Sequence, residues 1–308
     1  MRRYILKRVF AILVTIFIII TVTFFLMRIA PGSPFSQEKA IPEKILQTLN
    51  EAYGLDNPWY IQFKDYLVDI LHFNFGTSMK HRYITTNQMI GEGFPVSALL
   101  GVEAILLAVS IGLLVGTVAA LHHNKWQDYT MNVLAVLGIS VPSFIMASIL
   151  QYLFAIKLNV FPIGGWQSFS YSLLPAITLS LSPMAYIAKL TRSSMLEQMN
   201  SEHVKLAIAK GMPGKRVVFR HALRNAVMPV VTYLGPLTAA IITGSVIIEN
   251  IFGIPGLGKY FVTSITNRDY PVIMGTTVFY SIILLSAILI VDILYGFIDP
   301  RIKLKGGK

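Results

Sequence analysis

The segment GIPGLGKY, residues 253–260, sets Gly253, Gly258 and Lys259 at the spacing with which a nucleotide-binding loop wraps phosphate oxygens in backbone N–H groups. Position 260 is Tyr, where a Ser or Thr hydroxyl would have to reach magnesium, so the stretch reads as a glycine-rich turn. Glu103 and Asp292 are the carboxylates closest to membrane depth in the apolar sequence. A charge buried there is expensive unless paired or hydrated, which makes such an acid a default candidate for a proton or ion path. These two fall near opposite ends of their segments, and no chain of acids joins them. The absence of cysteine excludes thiolate catalysis, disulfides, iron–sulfur clusters and Cys-based zinc sites. No HExxH, nucleophile elbow or usefully spaced acid pair supports an enzyme. The chain is expected to hold no catalytic residue, cofactor or metal of its own.

Two patterned features remain. Ala104, Ala108, Gly112, Gly116 and Ala120 recur every four residues and draw a line of small side chains down one helix face, which lets another helix approach closely, within the chain or between subunits. The other is a basic stretch from Lys189 to Arg224, with Lys189, Arg192, Lys205, Lys210, Lys215, Arg216, Arg220 and Arg224 against only Glu197 and Glu202. Within it, SEHVKLAIAKG predicts a short helix that stops at Gly211, with Lys210 beside the negative dipole end and Pro213 beyond. A second helix is predicted from Gly214, with Arg216, Arg220 and Arg224 on one arc and Val218, Phe219, Ala222, Leu223 and Ala226 on the other. Helix, glycine turn, helix is the shape of an element that docks in a partner's groove, or of one that lies on anionic lipid.

The elements that position these residues are membrane spans. Hydrophobic residues make up 54% of the 308 and charged ones only 13%, with mean hydropathy +0.63, too apolar for a soluble globular chain. Predicted spans are Val9–Met27, Phe94–Leu121, Tyr129–Ile156, about Leu173–Ala188, Asn225–Ile248 and Val272–Val291. The first lacks a small-x-small cleavage site and reads as a retained span. Pro142, Pro175, Pro183 and Pro236 mark candidate kinks.

The net charge of +11 follows the positive-inside rule rather than a nucleic-acid partner: with the N-terminus cytoplasmic, most Lys and Arg fall in 1–8, 122–128, 189–224 and 299–308. The expected domains are an N-terminal segment and first span (1–29), an extracytoplasmic helical cap (30–93), a five-helix membrane domain (94–298) containing a cytoplasmic loop at 192–224, and a cytoplasmic tail (299–308). The fold expectation is an all-α polytopic membrane protein with six spans.

Ala207, Gly211 and the following RHALRNAVMPVVTYLGP (220–236) resemble the coupling loop, or EAA loop, of permease subunits of binding-protein-dependent ATP-binding-cassette (ABC) importers. RIAPGSPF (28–35), YGLDNPWYIQF (53–63), FNFGTS (73–78), GISVPSF (138–144), ENIFGIPGLGKYF (249–261), NRDYPVIMG (267–275) and DILYGFIDPRIKL (292–304) are similar, in order, to oligopeptide-permease B subunits of the peptide and nickel family. One departure is that Lys205-Leu206-Ala207 stands where the general loop pattern has Glu-Ala-Ala, and Glu202 does not replace that Glu by register.

The resemblance implies a type I ABC importer permease fold in a bacterial inner membrane, a second homologous permease subunit, two cytoplasmic ATPases that bind ATP and magnesium, and an extracytoplasmic peptide-binding protein. It implies ATPase coupling through Glu202, Val204, Lys205, Ala207, Ile208, Gly211 and Met212. Oligopeptide is the leading cargo, with dipeptides, nickel chelates, glutathione or oligosaccharides as alternatives within the family. A stand-alone secondary transporter is the competing class; it would need intramembrane coupling residues and no ATPase.

Overall fold

The computed structural model describes residues 2–29, 35, 42–81, 83–242 and 244–298. The tail 299–308, residues 30–34 and the side chain of Asp292 lie outside the described residues. In chain order the helices are α1 (Arg2–Ile29), α2 (Glu43–Ala52), α3 (Trp59–Leu71), α4 (Thr86–Leu121), α5 (Trp126–Ser140), α6 (Ser143–Leu150, continued as a π-helical turn Gln151–Lys157) and α7 (Phe169–Met199). There follow α8 (Glu202–Ala209), α9 (Gly214–Arg216, continued as a π-helical turn Val217–Ala222), α10 (Leu223–Ala226), α11 (Met228–Ile242), α12 (Val246–Ile251), α13 (Leu257–Asn267) and α14 (Tyr270–Ile298).

Among the described residues, four helices are long and apolar enough to cross a membrane, and six spans result if each of two bent pairs counts as one. In the first pair, α5 and α6 with its π turn meet at 107°. Proline explains the break. A residue before proline is pushed out of the helical region, and Val141 is extended at φ −81°, ψ 124°, so α5 stops at Ser140 and α6 restarts after Pro142. Pro175, Pro183 and Pro236 lie inside continuous helices: α7 runs through the first two and α11 through the third. The second bent pair, α9–α10 and α11, turns by 46°. α7 also begins at Phe169, earlier than the expected Leu173, and at 31 residues it is about 46 Å long against a hydrocarbon core of about 30 Å.

The chain divides into two compact units, Met1–Pro95 with Gly256–Leu285 and Val96–Pro255 with Ser286–Lys308. In the first unit, Ile20, Phe75, Ile90, Leu257 and Val278 form a buried cluster. The α3 helix is held to α1 by rings: Phe24 and Phe63 have centroids 4.9 Å apart, and Phe25 and Trp59 5.6 Å apart. The Arg28 guanidinium lies 3.5 Å from the centroid of Phe24 and donates to Gln62 Oε1. Buried Asp269 accepts from Ser78 Oγ and, at 3.0 Å, from the Met79 N–H, while Tyr53 donates its hydroxyl to Ser78 O at 3.0 Å. Burial first, and the Asp269 carboxylate second, raise the Tyr53 phenol above its ordinary value, so it stays a donor.

In the second unit, Ala104, Ala108, Ile187, Val230, Leu237 and Ile241 bury one another where α4, α7 and α11 meet. Small residues also bring α5 onto α7, through Met131, Ala135, Ala185 and Ala188. Fully buried Glu249 accepts from Ser97 Oγ at 2.7 Å.

Candidate functional site

The loop between α7 and α11 folds as the sequence predicts at its first stop. Gly211 takes φ +73°, its N–H bonds Ile208 O at 2.9 Å, and the Met212 N–H reaches back to Ala207 O at 3.2 Å. That pair of bonds is the Schellman closure, satisfying two carbonyls at the end of α8 that would otherwise lack partners. Met212 folds back onto the apolar cluster that contains Ala207, the contact that accompanies this motif.

That cluster anchors the loop. Val204 and Ala207 of α8 pack with Met195 of α7, Ala120 of α4, Val217, Val218 and Ala222 of the π turn, and Ala226 of α10. Asn225 Nδ2 donates to His203 Nε2 at 3.2 Å, tying α10 to α8. The seven residues expected to act together therefore divide. Val204, Ala207 and Met212 face their own protein, while Glu202, Lys205 and Ile208 face outward, with Gly211 exposed at the turn. Leu206 and Ile208 are 56% and 54% exposed, so α8 presents apolar side chains outward beside the Lys205–Glu202 pair at 3.2 Å. Leu206, in the place of the pattern's first Ala, was not among the expected contact residues.

The second helix departs from its expected face. Arg216, Arg220 and Arg224 are exposed as predicted, but Phe219 is 64% exposed rather than packed. The cause is the π turn: its wider winding aligns Val217 with Ala222, five residues on, and rotates Phe219 away from the cluster.

The small-residue stripe packs within the chain. A Cβ on Gly112 would stand 2.8 Å from Ile187 Cγ2, and one on Gly116 would stand 2.5 Å from Ala188 O, a backbone atom that cannot move aside. Ala104 and Ala108 are fully buried, and Ala120 ends the line in the loop cluster. The stripe is thus the seat of α7 on α4. Of the other sequence candidates, Gly253 lies at φ +62° in the turn after α12, and Gly256 is the N-cap of α13, so the GIPGLGKY segment is a turn entering a helix with no strand before it. Glu103 buries Oε2 without a hydrogen-bond partner among the described residues. No cluster of three or more His, Asp and Glu side chains there is placed to hold a metal.

One constellation had no sequence signal. Asp128, in the first turn of α5 and 2% exposed, takes Arg192 of α7 in a two-point grip: Nε donates to Oδ1, and Nη2 to Oδ2 at 2.7 Å. The Asn124 N–H, at 3.0 Å, and Asn132 Nδ2, at 3.1 Å, also donate to the carboxylate, and His123 Nδ1 lies 3.1 Å from Oδ2. The partners stand 64 positions apart. Its only trace in the sequence is one acid in a basic inner loop.

Residues 112–304 match the family described as binding-protein-dependent transport system inner membrane component, and residues 1–92 match the N-terminal part of a binding-protein-dependent transport system membrane component. The dipeptide transport system permease protein DppB of Bacillus subtilis is 50% identical over 304 residues, covering 99% of both chains. DppB of Lactococcus lactis is 46% identical, covering 99% of this chain and all of its own. The oligopeptide transport system permease protein OppB of Salmonella typhimurium is 43% identical, covering 98% of this chain and all of its own.

Proposed function

Because the chain belongs to the family of binding-protein-dependent transport system inner membrane components, we propose that it is the transmembrane permease subunit of an ATP-driven peptide importer. Peptide is the cargo class in the names of the three relatives described above, two of them named for dipeptides and one for oligopeptides. The N- and C-termini and the α7–α11 loop face the cytoplasm of a bacterial cell, and the α2–α3 cap faces outward, an orientation supported by the distribution of Lys and Arg. The working complex contains a second homologous permease, two ATPases that bind ATP and magnesium, and an extracytoplasmic peptide-binding protein.

The observation that carries this reading is the two-sidedness of α8. Its inner face, Val204 and Ala207, is built into the permease; its outer face, Leu206, Ile208 and Lys205, stands free to enter a groove on an ATPase. When ATP closes the ATPase pair, the groove displaces α8, and the α7 helix that leads into it carries the displacement into the membrane. ATP can shift the permease between outward and inward access only by favouring one of two packings of similar energy.

The test is reconstitution with the ATPases and the binding protein. Ile208→Arg is expected to leave the permease inserted but to lose ATPase co-purification and peptide uptake. A bulky residue at Ala207 should also abolish uptake, by prising α8 off its own protein rather than by filling the groove. Unchanged co-purification and uptake in both would refute the docking assignment, and peptide uptake without any ATPase would establish a secondary transporter.

A further inference from the structure

We propose that Arg192 and Asp128 form a positioning pair that makes α5 move with α7 when the docking helix is displaced; the inference rests on the importer reading above. Three placements support it. First, Arg192 sits about two turns before the end of α7, and only Asn200 and Ser201 separate that end from α8. With Met195 and Val204 both fully buried in one cluster, the last turns of α7 and the docking helix form one packed body.

Second, the apolar cluster that joins α5 to α7 is built mainly from small side chains. Ala135, Ala185 and Ala188 pack there with Met131, and a Cβ added to Gly138 would stand 3.1 Å from Ala185 Cβ. Such surfaces allow close approach of the two helices. The two-point bond from guanidinium to carboxylate is directional in a way these contacts are not.

Third, the carboxylate is fixed from its own side. Asn124 and Asn132 hold both oxygens of Asp128 at the start of α5, so a pull on Arg192 is delivered to the α5 backbone instead of swinging a loose side chain. His123 Nδ1 lies between the partners, 3.1 Å from Asp128 Oδ2 and 3.3 Å from Arg192 Nη2, and closes the group toward solvent. From α5 the displacement runs on to the 107° break before α6. Neither Arg192 nor Asp128 belongs to the face of α8 that meets the ATPase, so they act on transport only by transmitting movement.

The experiment measures ATP hydrolysed per peptide imported, in proteoliposomes holding the assembled complex. Removing one partner leaves a buried charge uncompensated and risks misfolding, so the principal variant is the double Asp128→Asn, Arg192→Gln, which removes both charges and keeps hydrogen-bonding groups. It is expected to assemble and hydrolyse ATP, with the ATP-to-peptide ratio raised at least about fivefold, the lower end of an ordinary coupling between sites. Arg192→Lys keeps the charge and loses the fork, and is expected to raise the ratio by a smaller factor. A merely structural pair would lower the yield of complex while leaving the ratio at the wild-type value, and that result overturns the proposal. Should the double variant fail to accumulate, the ratio in Arg192→Lys decides in the same two directions. A wild-type complex that imports no peptide would instead strike the importer reading itself.

Discussion

Two helical insertions leave the membrane spans, and they are fastened by different means. The α8 helix has eight residues yet buries Val204 and Ala207, whereas α2 and α3, with ten and thirteen, bury none. The α3 helix lays the half-buried Phe63, Tyr66, Leu67 and Ile70 against a buried cluster, and ring contacts and the bond between Arg28 and Gln62 tie it to α1. An element with its apolar side sunk in a core has one orientation, so a force applied to its other side is delivered in a fixed direction. An element whose own side chains are at most half-buried has fewer apolar contacts to lose when it shifts.

The sharpest way to break this comparison is to place the same charge in both insertions. Val204→Asp puts a carboxylate in the apolar cluster with no partner, a destabilisation of roughly 3–5 kcal/mol, and complex recovered after detergent extraction should be nearly lost. Ile45→Asp in α2, a position 50% exposed, should stay within about 0.5 kcal/mol and recover as wild type. Equal damage from both would erase the distinction. Next in size is Gly211→Val, which forces a branched side chain into φ +73° for about 1–2 kcal/mol; a lowered melting temperature with Gly211→Asn close to wild type would show that conformation, not space, is limiting, since nothing lies within 4 Å of a Cβ there. Trp59→Ala removes a ring contact worth about 0.5–1.5 kcal/mol and should speed proteolysis of the cap without changing ATPase co-purification. The smallest effect belongs to Lys205→Ala: its exposed pairing with Glu202 contributes about 0–1 kcal/mol, so the melting temperature of the permease in detergent should be unchanged.

The parts legible in the sequence were those set by short-range chemistry. Gly211 announces its stop because the left-handed conformation is a local demand, and Pro142 breaks its span because proline restricts its own neighbour. The stripe from Ala104 to Ala120 announced a close approach, but its partner, α7, is a matter of tertiary packing. Phe219 was misplaced because a π turn leaves no mark in a pattern read at 3.6 residues per turn. Pro175 and Pro183 look like Pro142 in one dimension, yet surrounding packing keeps α7 whole. The Asp128–Arg192 grip was invisible because nothing local ties residues that far apart, and the division of α8 into an anchoring and a presenting face required knowing what covers it.

Stiffness along α7 is graded. From Met184 to Met199 the helix contains neither proline nor glycine, while its other half carries Pro175 and Pro183, each of which removes an N–H from the internal ladder. The stretch from Met199 back to Pro183 is therefore about 24 Å of helix with an unbroken set of N–H donors. On the proposed coupling, the half of α7 nearest the docking helix is the stiffer one, and the missing N–H groups at Pro175 and Pro183 put whatever give the helix has in the half farther from it.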